Sequence, residues 1–167
     1  LSISFYSSND NKSNIYNILA SLAVINLYKD IRNFKKDIFL NFKIPSGRGD
    51  ISKIKIKNKN IYLVDETYNS NPLSLKIALE NYDKIDSKNS KKFLILGDML
   101  ELGKHSIKQH KLISKIVNRT KIDQVYVAGR YIKETFKGLK SIKKAKILDK
   151  SFDIIDLINK NLNNNDY

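Results

Sequence analysis

The 167 residues carry 31 Lys and Arg against 17 Asp and Glu, a formal net charge of +14, and no cysteine. Disulfides and thiolate metal sites are therefore excluded, no apolar run reaches the 18 residues of a membrane span, and no signal-peptide pattern opens the chain. The length holds one full core, or one domain with part of another.

The chain starts at Leu1 rather than Met, which reads as a fragment or a processed product, and a cytoplasmic protein is the default expectation. Nearly all of the positive charge is lysine; the arginines are Arg32, Arg48, Arg119 and Arg130. Such a balance attracts nucleic acid, anionic lipid or phosphorylated ligands. It also follows from composition alone, because Lys, Asn and Ile are abundant together throughout. Dedicated nucleic-acid surfaces favour arginine forks and clustered aromatics, and neither is present, so no nucleic-acid partner is expected.

Leu1 to Tyr6 alternates weakly and predicts a short strand. Residues 13–29 have the period of a helix with Ile15, Ile18, Leu19, Leu22 and Ile25 on its apolar side. Asn14, Asn17 and Ser21 form a polar stripe near its start, a placement that also suits capping and solvation of the first turn. A second short helix is predicted over 31–41. Ile44-Pro45-Ser46-Gly47-Arg48-Gly49 then breaks the pattern and is the best candidate hinge.

Ile51 to Lys57 alternates apolar residues with lysine, and Asn58-Lys59-Asn60 turns it back into 61–64, a hairpin signal. The run Ile61-Tyr62-Leu63-Val64 ends in Asp65, and a polar turn leads to Asn71-Pro72. Asn at the N-cap and Pro at the first helical position start a helix to about Ile85, with Leu75, Ala78, Leu79 and Tyr82 inward. Residues 93–96 predict a buried strand ending at Gly97-Asp98, 105–119 a helix, and 123–128 a strand ending at Gly129-Arg130. A short helix near 131–137, a weak strand at 145–148 and a helix at 151–162 follow, the last with Phe152, Ile155 and Leu162 inward. Asn163 to Tyr167 reads as a polar end with no capping logic. Strands alternating with helices predict an α/β fold, a Rossmann-like, mostly parallel sheet flanked by helices.

Ligands bind such sheets at the carboxyl ends of the strands, and helix N-termini there offer free N–H groups to anions. Three predicted strands end in Asp65, Asp98 and Gly129, so their loops should line one edge. A short carboxylate such as Asp65 can accept hydrogen bonds from a ribose diol; a turn or capping carboxylate would read the same way. Asp98 and Glu101, three apart on a glycine-flanked loop, can take a cation or an ammonium group. His105 and His110 lie about 140° apart on a helix and cannot clamp one metal. His110 shares a face with Ile113 and Val117, so it reads equally as a buried, hydrogen-bonded histidine. No Gly-x-x-x-x-Gly-Lys-Ser/Thr phosphate loop occurs.

Asp65-Glu66-Thr67-Tyr68-Asn69-Ser70-Asn71-Pro72, then Gly97-Asp98-Met99-Leu100-Glu101-Leu102-Gly103 and His110, resemble the carboxy-terminal part of the Mur ligases. Among them the motifs are most similar to the branch that joins D-alanyl-D-alanine to UDP-N-acetylmuramoyl-tripeptide. Ser13-Asn14-Ile15-Tyr16-Asn17 resembles the end of the family's central ATPase domain, with Ser13 in place of the usual His, and Pro45 to Arg48 its interdomain linker. The resemblance implies that 1–44 is the tail of the central domain and 45–167 a carboxy-terminal domain truncated at its end.

It also implies a nucleotide site built from Asn17 facing adenine, Arg48 reaching across on domain closure, and Asp65, with Tyr68, Asn69 and Asn71 shaping its wall. Asp98, Glu101 and His110 would lie near the acceptor dipeptide. Glu66 departs mildly from a position that is often Asp. The implied enzyme is an ATP-dependent ligase that phosphorylates the substrate carboxylate, whose acyl phosphate the dipeptide amine attacks. ATP and Mg²⁺ are the implied cofactors, with the Mg²⁺ ligands in the central domain; no metal ligand and no catalytic residue is expected in this piece, which should be inactive alone and monomeric. Two rival readings are another Mur or folylpolyglutamate-type ligase and a basic nucleic-acid-binding module.

Overall fold

The structure is a computed structural model; it describes residues 2–7, 12–42, 45–150 and 153–167, and the predictions that involve Leu1, Ile44, Phe152 and the Ser13 side chain lie outside them. The chain divides into two compact units, Leu1–Ile44 and Pro45–Tyr167.

In the first unit α1 spans Lys12–Ile25, shorter than the pattern predicted. The predicted opening strand is absent over 2–6; a single parallel bridge joins Ser7 to Phe39. The predicted helix at 31–41 is instead one 3-10 turn, Ile31–Asn33. Asp30 caps the start of that turn, its carboxylate accepting from the backbone N–H and the guanidinium of Arg32, and the turn ends at Phe34, which is extended at φ -82, ψ 144. Leu22 is the one buried apolar side chain among the described residues of this unit. Ile15 and Leu19, predicted inward, are 40% and 55% exposed.

The second unit opens with the predicted hairpin, β1 (Asp50–Ile56) against β2 (Lys59–Asp65), with Lys57 at φ 53 in the turn. α2 (Pro72–Lys84) then leads to β3 (Phe93–Leu96). α3 (Ser106–Val117), β4 (Gln124–Val127), α4 (Lys133–Lys137), β5 (Lys144–Ile147) and α5 (Asp153–Asn161) complete the chain. β3, β4 and β5 form a parallel sheet in that order, as βαβ crossovers require. Alternation in β4 feeds two cores: Val125 and Val127 join Leu79, Met99 and Ile113, while Tyr126 faces Ile61, Phe93 and Leu157. Ile155, predicted inward, is 54% exposed, and Leu157 takes its place.

One expectation needs correction. The strand ending in Asp65 is not in the parallel sheet; β2 pairs only with β1 in a separate antiparallel sheet. The last residues, read as an uncapped polar end, bridge the two. Asn165 N–H donates to Asn60 O and Tyr62 N–H to Asp166 O; Tyr167 N–H donates to Lys91 O and Phe93 N–H to Tyr167 O. The bonds to Tyr167 follow a parallel ladder, and Asp166 is only 3% exposed.

Lysines serve the opposite edge of the sheet. Parallel strands start where the preceding helices end, and helix C-termini carry unpaired carbonyls and partial negative charge. Lys92 Nζ donates to Tyr82 O, Asp83 O and Ile85 O at the end of α2. Lys143 Nζ donates to Thr120 O and Ile122 O after α3, and Lys144 Nζ to Lys137 O in α4. Lys59 Nζ reaches Asn159 O and Leu162 O at the end of α5. Part of the positive charge is thus structural.

Candidate nucleotide-facing edge

Because the tail runs parallel to both β2 and β3, those two strands point the same way. Asp65 and Asp98 therefore leave the molecule's strands at one edge, together with the loop after β4.

The loop after β2 is held by local side-chain bonds. Thr67 donates to Asp65 Oδ1 through its N–H and its hydroxyl, at 3.0 and 2.7 Å, while Asp65 Oδ2 has no protein partner among the described residues. Asn71 caps α2 as expected: its Oδ1 accepts from Leu73 N–H and Ser74 N–H, and its own N–H donates to Ser74 Oγ. Asn69 Oδ1 accepts from Ser70 N–H. Tyr68 is 66% exposed.

The predicted hinge is stitched to this loop. Gly47 N–H donates to Asp50 Oδ1, Gly49 N–H to Asp65 O, and Tyr68 N–H to Gly47 O. The Arg48 guanidinium lies 4.3 Å from the centre of the Tyr68 ring, within the range of cation–π attraction. Gly47 sits at φ +80, and a Cβ there would stand 2.9 Å from Tyr68 N. Gly47→Ala should therefore cost about 1–3 kcal/mol and loosen Arg48 from Tyr68, read as a lower denaturation midpoint. A wild-type midpoint in the variant would show that the linker is not clamped.

Glu66, beside this linker, was read from the sequence as a mild departure from Asp and not as a site residue. Partial burial, then the charges of Asp50 and Asp65, push its carboxyl above the usual range. Its signal lies in tertiary proximity to Asp50, which spacing does not reveal.

On the neighbouring loop, Asp98 is committed to the backbone. Its carboxylate accepts from Arg130 N–H (2.8 Å), Tyr131 N–H (2.9 Å) and Ile132 N–H (2.7 Å). Gly129, at φ +140, lets it approach: a Cβ there would meet Asp98 Oδ1 at 2.5 Å. His110 is fully buried. Its Nε2 accepts from Met99 N–H at 3.0 Å and its Nδ1 contacts Ser106 O at 2.7 Å, which places the proton on Nδ1. The ring therefore offers no polar atom to a ligand; of the two readings of His110, the buried, hydrogen-bonded one describes the geometry, and its contact is with the Met99 loop. Glu101 is exposed at φ 60, a left-handed conformation unusual outside glycine. Asn17, in the other unit, is exposed on α1.

A family model described as "Mur ligase, glutamate ligase domain" matches residues 51–167. The chain belongs to the Mur ligase family. The UDP-N-acetylmuramoyl-tripeptide–D-alanyl-D-alanine ligase of Bacillus subtilis (strain 168) is 27% identical to this Mur ligase chain over 119 residues, 71% of the chain and 25% of the relative. The enzyme of the same name from Rickettsia prowazekii (strain Madrid E) is 34% identical over 104 residues, 59% of the chain and 22% of the relative. The crystal structure of a MurF ligase from Thermotoga maritima in complex with ADP superposes with a TM-score of 0.70 at 25% identity, covering 97% of this chain and 34% of that one. This Mur ligase chain thus spans less than a third of the length of the curated relatives it matches. No helix among its described residues is long and apolar enough to cross a membrane.

Proposed function

We propose that this chain is the nucleotide-closing portion of an ATP-dependent ligase that adds D-alanyl-D-alanine to UDP-N-acetylmuramoyl-tripeptide in the cytoplasm. The observation that carries the reading is the clamped pair of segments 47–50 and 65–68. With the α2 N-terminus that follows, they present the Arg48 guanidinium and an Asp65 oxygen that has no partner among the described residues. Those groups suit a nucleotide: a guanidinium for phosphate, a short carboxylate for a ribose diol, and an Asn71 amide with free donors. The names of the relatives, and ADP in the Thermotoga structure, support the substrate class.

In this reading residues 1–44 are the end of a preceding ATPase domain, which accounts for the apolar side chains that α1 leaves uncovered. Asn17 faces the adenine there. Tyr68 holds Arg48 in place, and Asn69 and Asn71 shape the wall beside it. Asp98 and His110 are positioning residues that fix the loop bearing Glu101 on the acceptor side. Bound ATP supplies the phosphoryl group that activates the substrate carboxylate; this chain orients the nucleotide and excludes water, and no proton carrier is assigned within it. Mg²⁺ belongs to this reading as well, its ligands lying in the preceding ATPase domain. The chain alone is inactive, and the working protein is monomeric.

The test is Asp65→Ala in the full-length protein, with ADP affinity measured by calorimetry. Loss of a charge-assisted hydrogen bond to a ribose should weaken binding about tenfold or more. Unchanged affinity removes Asp65 from the site, and with it the central support of this reading.

A further inference from the structure

Charge is distributed unevenly over the chain. Residues 104–119 hold Lys104, Lys108, Lys111, Lys115 and Arg119 and no carboxylate, and residues 133–142 add Lys133, Lys137 and Lys140 against Glu134 alone. All of these cations are exposed. Over the whole chain there are 31 cations to 17 carboxylates, so lysine-rich composition by itself does not account for a stretch with one carboxylate to eight cations.

The two segments form one surface. α3 turns His110, Ile113, Ser114 and Val117 to the core, which leaves Lys108, Lys111 and Lys115, at i, i+3 and i+7, as a stripe on its outer side. α4 lies alongside: Lys111 Nζ is 3.9 Å from Glu134 Oε2, and the same carboxylate takes Lys137 Nζ at 2.5 Å. The loop beyond α4 is tied to the end of α3, with Asn118 Nδ2 donating to Gly138 O and Lys140 N–H to Asn118 Oδ1. Two aliphatic side chains sit among the lysines. Leu112 follows Lys111 on the α3 stripe, 40% exposed, and Ile142 lies two residues beyond Lys140, 84% exposed. α2, which also packs on α3, mixes signs instead, Lys76 lying 3.8 Å from Glu80.

That chemistry selects the partner. Nucleic acid is gripped by arginine forks and stacked aromatics; here Arg119 is the one arginine, and the exposed apolar side chains are aliphatic. Lysines interspersed with exposed aliphatic groups suit the boundary between phosphate headgroups and acyl chains. We propose that the outer face of α3, with α4 and the loop to Ile142, docks on an anionic phospholipid bilayer, its lysines against the phosphates and Leu112 and Ile142 set between them. No membrane span is involved, and this inference is independent of the nucleotide reading.

The test is flotation of the full-length protein with phosphatidylcholine vesicles containing about one-third phosphatidylglycerol, at about 0.1 M salt, where charges still act over about 10 Å. The wild type should bind these vesicles and not pure phosphatidylcholine. Each lysine near such a surface is worth about fivefold in affinity, so Lys108→Glu with Lys111→Glu and Lys115→Glu should weaken binding about a hundredfold or more. The same reversal at Lys53, Lys55 and Lys57, exposed on the β1–β2 hairpin, alters net charge equally and should cost under about tenfold. Ile142→Ser, which leaves the charge alone, should weaken vesicle binding severalfold and leave binding to duplex DNA unchanged. Equal losses from the two triple variants overturn the proposal, because bulk charge then explains the binding. So does a wild type that ignores the anionic vesicles, an Ile142→Ser variant that binds them as the wild type does, or displacement of the vesicles by duplex DNA at equal phosphate concentration.

Discussion

Asp98→Ala should destabilise the second unit by about 3 kcal/mol or more, the largest effect expected of any single substitution proposed here. One carboxylate accepts three consecutive backbone N–H groups at the start of the turn into α4. Hydrogen bonds to a charged group contribute about 1.5–3 kcal/mol each, and a donor left unpaired on burial costs about 1–3 kcal/mol. Ile132, the third donor, has no exposed surface, so water cannot replace its partner without rearrangement. Asp98→Asn keeps the shape and one acceptor oxygen, and should lose roughly half as much. Denaturant titration with an unchanged slope is the measurement. A midpoint for Asp98→Ala equal to wild type would sink the assignment of Asp98 as the tie between the β3 and β4 loops.

Lys92→Met should cost about 2 kcal/mol, with an unusual pH dependence. Methionine keeps most of the apolar stem but leaves the Tyr82, Asp83 and Ile85 carbonyls without their donor. Each orphaned carbonyl is costly, and removing a buried ammonium offsets part of the loss because its desolvation was unfavourable. That burial lowers the Lys92 pKa from its ordinary value of 10.5, against weaker support from Asp83. In the window between the lowered folded value and 10.5 the unfolded chain holds the proton that the folded chain has released. Stability from this group therefore rises with pH there, and is flat below the folded value. The wild type should gain on Lys92→Met as the buffer approaches pH 10.5. A gap between the two proteins that narrows with rising pH in that window would contradict the burial argument.

The elements legible in the sequence were those fixed by neighbours in the chain. The alternation of 51–56 and 61–64, the apolar run 93–96 and the Asn71-Pro72 start each specify local backbone geometry, and each formed where it was read. The site motifs were legible for the same reason: a strand end, a turn and a capped helix occupy consecutive residues. Failures came where a helix start was capped but not continued, as over 31–41, where the turn that Asp30 caps ends at the extended Phe34. They came also where a partner is distant in sequence. Nothing near Asp98 announces that its acceptors serve residues 130–132, and nothing near His110 says that both ring nitrogens are already engaged.

The sequence by itself determined the α/β class, the hairpin, the strand at 93–96, the start of α2 and the family, because period, propensity and motif order act over a few residues. The tertiary structure alone decided that lysines at strand starts cap the helices, that Arg48 rests on Tyr68, and that Asp166 and Tyr167 join two sheets. Each of those depends on which distant backbone groups are left unpaired after the chain has packed, and burial then makes their pairing obligatory.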